Sequence, residues 1–278
     1  MLKKILSARK IDFSIASDVH LEMFPSGPYL PKHGGYLALC GDIGNPNQGS
    51  FGSWIDREKK SVKHVFVVAG NHEYYGGDDK AAIDDTLKQF SDSRETVTVL
   101  NRTSVLVEGF RLLGCTLWSH VPDENVTDVQ ETLADYQYIR TKDLSSGKSR
   151  PVTVADTNEW HEQDLTWLTA AIKKASEVGE SVIVLTHHAP TFQGTSMPEY
   201  EGSAISSGFA TPLEYLLAPP VVGWIHGHTH YSNHQTINGV DLVSNQVGYR
   251  REYLASKSGF RPSNVVTFSE PTLNPTGK

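Results

Sequence analysis

Val221-Val-Gly-Trp-Ile225-His226-Gly-His228-Thr-His230 is the stretch on which the fold turns. A short apolar run stops abruptly, and histidines, a glycine and a threonine follow at once. Such a run, bounded by polar punctuation, reads as a buried strand. Its chemistry-bearing residues come at the carboxyl end, where open α/β sheets form ligand crevices. Working outward, the same design recurs four times. Phe13-Ser-Ile-Ala16 leads into Ser17-Asp18-Val-His20, and Tyr36-Leu-Ala-Leu-Cys40 into Gly41-Asp42. His64-Val-Phe-Val-Val-Ala69 leads into Gly70-Asn71-His72-Glu73, and Ser181-Val-Ile-Val-Leu185 into Thr186-His187-His188-Ala-Pro190. Eight of the 12 histidines lie where these runs end or just beyond, at 20, 72, 187, 188, 226, 228, 230 and 234.

Between the strands the period changes. Trp160, Trp167, Leu168, Ala171, Ile172 and Ala175 share one face at helical spacing, which predicts a helix over 156–178. Further helices are expected over 79–90 and 53–62. Two hairpins are legible, one turning at Glu108-Gly109 and one at Asn238-Gly239, and Asn-Gly suits a tight turn with positive φ at both central positions. The pattern predicts sheets covered by helices, with two β-rich layers meeting in the middle. One domain is expected over 1–270, with a flexible tail at 271–278 and a long surface loop from Pro190 to Gly208 that shapes substrate choice.

Composition narrows the function classes. The chain has 278 residues, 25 basic and 32 acidic side chains, a net charge of −7 and 38% hydrophobic residues. That hydrophobic share supports a core and excludes wholesale disorder. The negative balance excludes a bare electrostatic grip on nucleic acid or anionic membrane, so neither is expected as a partner. Cys40 and Cys115 sit in strand-like runs and read as free buried thiols rather than a secreted disulfide framework. No signal-like or membrane-length apolar run is present, and a cytoplasmic protein is expected.

The strand-end donors are Asp18, His20, Asp42, Asn71, His187, His228 and His230. Carboxylate, amide oxygen and imidazole together suit borderline divalent metals such as Mn, Fe, Zn, Co or Ni. Asp18/His20 and His228/His230 stand at i,i+2, and in extended backbone each pair projects to one side. Seven donors are too many for one catalytic ion with open positions and suit two ions sharing a carboxylate.

Asp18-Val-His20, Gly41-Asp42, Gly70-Asn-His-Glu73, His187 and Gly227-His-Thr-His230 occur in the order found in calcineurin-like metallophosphoesterases, which this chain resembles from about residue 13 to 230. The resemblance implies a four-layer α/β/β/α sandwich of two mixed sheets flanked by helices. It places Asp18, His20, bridging Asp42 and His230 on one ion, and bridging Asp42, Asn71, His187 and His228 on the other. His187 is preferred to His188, whose side chain is then expected to point elsewhere. His72 is implied as the catalytic residue, a general acid or electrostatic stabiliser facing the phosphate rather than a ligand. The implied reaction is in-line attack of a metal-bridging hydroxide on a phosphoester of a small metabolite, diester or monoester.

The family's protein phosphatases follow Gly-Asp with Asp-Arg-Gly; here the stretch is Gly41-Asp-Ile-Gly-Asn-Pro46, which argues against that activity. Length and charge argue against a repair nuclease. A non-catalytic metal-binding scaffold is the rival from another class, and such a scaffold is expected to have lost His72 or several ligands. A small phosphate ester is the expected partner, and a monomer or small homo-oligomer the expected state.

Other residues stay open at this level. Tyr74 and Tyr75 either wall the cleft or serve as ordinary aromatics, and Arg250 is either a phosphate contact or a solvated arginine. Asn245 and Tyr249 lie on a segment able to return to the site. Glu22 and Glu73 are candidates to orient histidines. Trp118-Ser119-His120 and Asp135-Tyr-Gln-Tyr138 with Arg140 remain unassigned.

Overall fold

Alternation along the short strands gives each sheet two apolar faces, so each must be covered on both sides. The computed structural model describes residues 8–31 and 35–270, and the tail expected at 271–278 lies outside them. The strands are β1 (Lys10–Ala16), β2 (Tyr36–Cys40), β3 (Val65–Val68), β4 (Val97–Val99), β5 (Thr103–Val107), β6 (Phe110–Gly114) and β7 (Arg140–Lys142). They continue with β8 (Ser149–Pro151), β9 (Ser181–Leu185), β10 (Val221–His226), β11 (His234–Ile237), β12 (Val240–Ser244) and β13 (Val265–Ser269).

One five-stranded sheet runs β13-β1-β2-β3-β4, and a six-stranded sheet runs β11-β12-β10-β9-β6-β5; β7 and β8 form a small hairpin apart. Within the first, β1 to β4 are parallel and β13 is antiparallel at the edge. Within the second, β12, β10, β9 and β6 are parallel, while β11 and β5 are antiparallel edges. Both sheets are therefore mixed. Both antiparallel edges arise from the hairpins read in the sequence, and their turns have positive φ at Glu108 and Gly109, and at Asn238 and Gly239.

The layers follow from which side chains pack together. Phe13, Ile15, Ala38, Cys40, Phe66, Val68, Leu112, Ile183, Leu185 and Ile225 fill the space between the sheets. The alternate residues Leu37, Leu39, Val65 and Val67 face outward onto α1 (Gly49–Glu58) and α2 (Lys80–Asp92) through Phe51, Trp54, Ile55, Ile83 and Leu87. Two short helices, α3 (Val126–Thr132) and α4 (Asp135–Tyr138), follow β6. On the far side, Val182, Val184 and Trp224 pack against Leu168, Ile172 and Ala175 of α5 (Val154–Glu177). The result is a four-layer α/β/β/α sandwich. Cys40 and Cys115 are free and buried.

α5 starts two residues before the predicted helix because Thr153 and Asp156 form a capping box, with Thr153 N–H donating to Asp156 at 2.8 Å. α1 starts earlier than predicted, at Gly49, and its end is a separate 3₁₀ turn over Lys59–Ser61. Among the described residues no helix is long and apolar enough to cross a membrane.

Candidate active site

Parallel β1, β2, β3, β9 and β10 all end at the same edge of the molecule, and the loops beyond them are laced together by backbone hydrogen bonds. Asp18 N–H donates to Gly41 O at 3.0 Å, His20 N–H to Asp42 O at 2.9 Å, and Gly227 N–H to His187 O at 2.9 Å. Asp18, His20, Asp42, His228 and His230 have φ of 54°, 52°, 53°, 75° and 51°. These are left-handed conformations that cost a non-glycine residue about 1–3 kcal/mol and persist only where the surroundings over-determine them.

The expectation of extended i,i+2 pairs is thus corrected. The backbone curls back over each strand end: Asp18 and His20 still share one cluster, but His228 and His230 part, His230 joining Asp18 and His20 while His228 sits with His187. Two glycines allow the close approach. A Cβ at Gly41, itself at φ +83°, would lie 2.2 Å from His187 Nδ1, and one at Gly70 would lie 2.2 Å from Asp42 Oδ1.

In the first cluster, His20 Nδ1 faces Glu22 at 3.0 Å and His230 Nδ1 faces Glu252 at 2.7 Å. Carboxylates accept, so both Nδ1 atoms carry the protons, and the two Nε2 lone pairs point at each other across 3.0 Å. Asp18 Oδ1 is 3.5 Å from His230 Nε2. The second cluster repeats the logic. His187 Nδ1 donates to Cys40 O at 2.8 Å, leaving Nε2 facing Asn71 Oδ1 at 2.9 Å and Asp42 Oδ1 at 3.4 Å. Asn71 Nδ2 donates to Asp135 at 2.7 Å, which fixes the amide with its oxygen inward. His228 Nε2 donates to Gly208 O at 3.3 Å, leaving Nδ1 bare. Asp42 lies within reach of both clusters.

Electron-pair donors thus converge on two foci that could each hold a cation, and the mixed oxygen and imidazole donors suit divalent metals. His188 does not turn away as expected. It belongs to the His187 and His228 cluster, with Nδ1 2.8 Å from Ser119 Oγ and Nε2 buried without a partner.

The charges are graded across the site. Burial works to raise the Asp42 carboxyl, but the imidazoles of His187, His72 and His20 outweigh it and hold it well below the usual range. Burial pulls His187 and His72 down, and Asp42 more than reverses this, lifting each to about 9. Burial and neighbouring imidazoles push His228 and His188 well below the ordinary histidine value.

His72 is placed by Glu22, whose Oε1 receives both His72 Nδ1 and His20 Nδ1 at 3.0 Å. Its Nε2 lies 4.0 Å from Asp42 Oδ2, and its ring stacks on Tyr75 at 4.2 Å. Glu22 therefore holds a ligand candidate and the catalytic candidate with one oxygen, in the absence of the Asp-Arg-Gly aspartate. Burial raises its carboxyl, yet the two histidine hydrogen bonds prevail and bring it to about 2.

Some sequence assignments move. Glu73 orients backbone, not histidine: it accepts N–H bonds from Asp42, Ile43, Gly44 and Gly70 at 2.7–3.3 Å and ties two motif loops together. Burial first and Asp42 second raise it to about 7. Tyr74 is not on the cleft; it is 1% exposed, donates to Asp84 at 2.8 Å and packs near Trp118. The tyrosine pair follows β3 in a 3₁₀ turn, which sends Tyr74 inward and Tyr75 to the site. Arg250 is exposed over the Phe24 ring and does not line the cleft, because α6 (Arg250–Leu254) presents Glu252 there instead. Asn245 is a structural clasp, donating to Ile15 O at 2.7 Å. The sequence reading left Glu252 and Phe209 unnoticed and Asp135 and Tyr249 unassigned. Their only signal is being acidic or aromatic in loops, and their roles depend on which histidine they meet.

A cavity of about 320 Å³ opens over the clusters. Asp42, Asn71, His72, His228 and His230 form its floor, and Tyr75, Tyr249 and the 192–210 segment its walls and roof.

Comparison with known proteins decides the family. The calcineurin-like phosphoesterase family model matches residues 15–232. The chain belongs to the calcineurin-like phosphoesterases. A metal-dependent phosphoesterase is the class of activity this family carries. An uncharacterized protein of Acanthamoeba polyphaga mimivirus is 30% identical over 245 residues, covering 84% of each chain. Among solved structures, the phosphopantetheinyl hydrolase of Mycobacterium tuberculosis superimposes with a TM-score of 0.66 at 16% identity, covering 90% of this chain and 93% of that one. At that identity the likeness concerns the phosphoesterase fold.

Proposed function

We propose that this calcineurin-like phosphoesterase is a two-metal hydrolase of a small phosphate ester, with His72 as the catalytic acid. The observation that supports it is the pairing of two donor clusters around one carboxylate, Asp42. Asp18, His20, Asp42 and His230 would hold one ion, and Asp42, Asn71, His187 and His228 the other. Bound there, the ions supply Lewis acidity and an activated water, and they outweigh the Asp18 and Asp42 charges enough to attract an anionic ester.

The chain's own residues do the rest. Asp42 fixes the spacing of the two sites. Asp135 keeps the Asn71 oxygen turned inward, while Glu22 and Glu252 keep His20 and His230 in the tautomer that presents Nε2. His72 Nε2 faces the cavity floor, with Nδ1 anchored on Glu22, and donates a proton to the departing alkoxide oxygen. Tyr75 stacked on the ring limits its tilt.

The test is direct. Purified protein stripped with chelator should lose hydrolysis of nitrophenyl phosphate esters and regain it with manganese, binding two ions per chain. One ion per chain, or recovery without added metal, would overturn the reading. His72→Ala should keep both ions while losing turnover. Because His72, His20 and Asp42 also lie within 4.8 Å of one another, loss of one ion in that variant would make His72 a ligand instead.

A further inference from the structure

The cavity above the clusters has a lining the family assignment does not explain. Its roof is Leu133, Phe192, Met197, Ile205 and Phe209, with the Tyr200 ring at the rim. Phe192 is 40% and Tyr200 56% exposed, although both stand in an otherwise polar loop. Water-exposed apolar side chains gathered over a polar floor mark a binding surface.

The loop that carries them is held in position. Its ends meet where Ala189 N–H donates to Phe209 O at 3.2 Å and Thr211 N–H donates to Ala189 O at 3.1 Å. Near its start, Gln235 Nε2 donates to Gln193 O at 2.7 Å, and Asn233 donates to Gly194 O. The roof continues directly into the floor, for Phe209 stacks on His228 with ring centres 4.8 Å apart.

The charge inventory is equally one-sided. Among the described residues that line the cavity there is no lysine or arginine. Its carboxylates are engaged: Asp42 between the clusters, Asp135 by Asn71 and Tyr75, and Glu252 by His230. A second phosphate on the substrate would find no cation beyond the metal floor, whereas an apolar group would find six side chains to bury it.

We infer that the organic part of the substrate is an uncharged, predominantly apolar group, alkyl or aryl, that lies under the 192–209 roof while its phosphate sits on the floor. Nucleoside polyphosphates, sugar diphosphates and bisphosphates are excluded as preferred substrates. A volume of about 320 Å³ admits one small group of this kind. The inference deepens the phosphoesterase reading of the same site and rests on it.

The experiment uses manganese-loaded full-length protein and two measurements. The first is hydrolysis of linear alkyl phosphates and their methyl diesters, from methyl to hexyl, followed by phosphorus NMR. The second is calorimetric affinity for the matching alkylphosphonates, which are not turned over. Each methylene that enters the pocket should raise kcat/KM and phosphonate affinity about threefold until the roof is filled. Terminal bisphosphates should be at least tenfold poorer. Phe192→Ser, at an exposed position that spares the fold, should flatten the series, with a loss that grows with chain length. Leu133→Lys should narrow the gap to the bisphosphates.

A flat series, or a preference for bisphosphates, overturns the inference and leaves the phosphoesterase reading standing. Chain-length-dependent phosphonate binding without hydrolysis of any ester keeps the pocket assignment and removes the enzyme reading. Absence of both removes both.

Discussion

The floor of the cleft keeps its polar groups largely out of water, from 0% exposure at Asp18 and His187 through 7% at His228 to 12% for the His230 side chain, whereas the roof leaves Phe192 40% and Tyr200 56% exposed. The floor stands on the ends of parallel strands clamped between two apolar layers, so its left-handed residues have nowhere to relax. The roof is, Leu133 apart, one loop joined at its base. The contrast teaches where each property of the enzyme resides. Chemistry needs donors fixed within fractions of an ångström and is assigned to the sheet edge. On the proposed reading, choice of substrate needs only a shaped apolar cover, supplied by a loop that meets the ligands at its end, where Gly208 and Phe209 contact His228.

Substitutions that sharpen this division differ widely in expected size. Asp42→Asn strikes the group shared by both clusters. Turnover should fall about a thousandfold or more, since the Lewis-acid contribution of several kcal/mol is lost. Metal analysis should find fewer than two ions per chain, and the rise in Tm that manganese gives the parent protein should shrink. Unchanged metal content would mean the floor is not organised around Asp42.

His72→Ala should lower kcat about a hundred- to ten-thousandfold, the usual weight of acid catalysis, with metal content intact. Glu22→Gln is next. It keeps the shape but removes a carboxylate from beside His20 and His72, and kcat should fall about ten- to a hundredfold. Glu22 is one of the groups that raise His72, so its loss lowers the His72 pKa. The limb of the kcat–pH profile that reports the protonated acid should therefore move to lower pH; an unmoved limb would separate Glu22 from the catalytic histidine.

The smallest effects test the corrections. Tyr74→Phe should cost about 1 kcal/mol of stability in a denaturant titration, through the lost Asp84 hydrogen bond, with kcat/KM unchanged. Arg250→Ala should change neither stability, within about 0.5 kcal/mol, nor turnover. A large loss of activity from either would return that residue to the cleft.

Much of this was readable before any coordinates. Continuous apolar runs such as 36–40 and 181–185 announce strands because a residue buried on either face of a sheet must be apolar. The Asn238-Gly239 turn announces a hairpin because few dipeptides accept positive φ twice, whereas Glu108 takes its φ of 49° without that preference. The edge strand β13 escaped notice, since Val265–Ser269 alternates buried and exposed residues at the far end of the chain from its partner β1.

The sequence by itself determined the kinds and order of the donor groups, because chemistry of this type demands particular atoms and those atoms are written in residue identity. It also determined the layered architecture, because hydrophobic period is local. The family resemblance named which donors share a focus, and tertiary structure showed how they meet. His230 joins His20 and His228 joins His187 because left-handed backbone at the strand ends overrides the simple alternation of a strand. Tertiary structure also sent Tyr74 inward and brought Asp135, Tyr249, Glu252 and Phe209 to the site from loops with no motif of their own. Such long-range encounters depend on how whole layers stack, and no spacing along the chain encodes them.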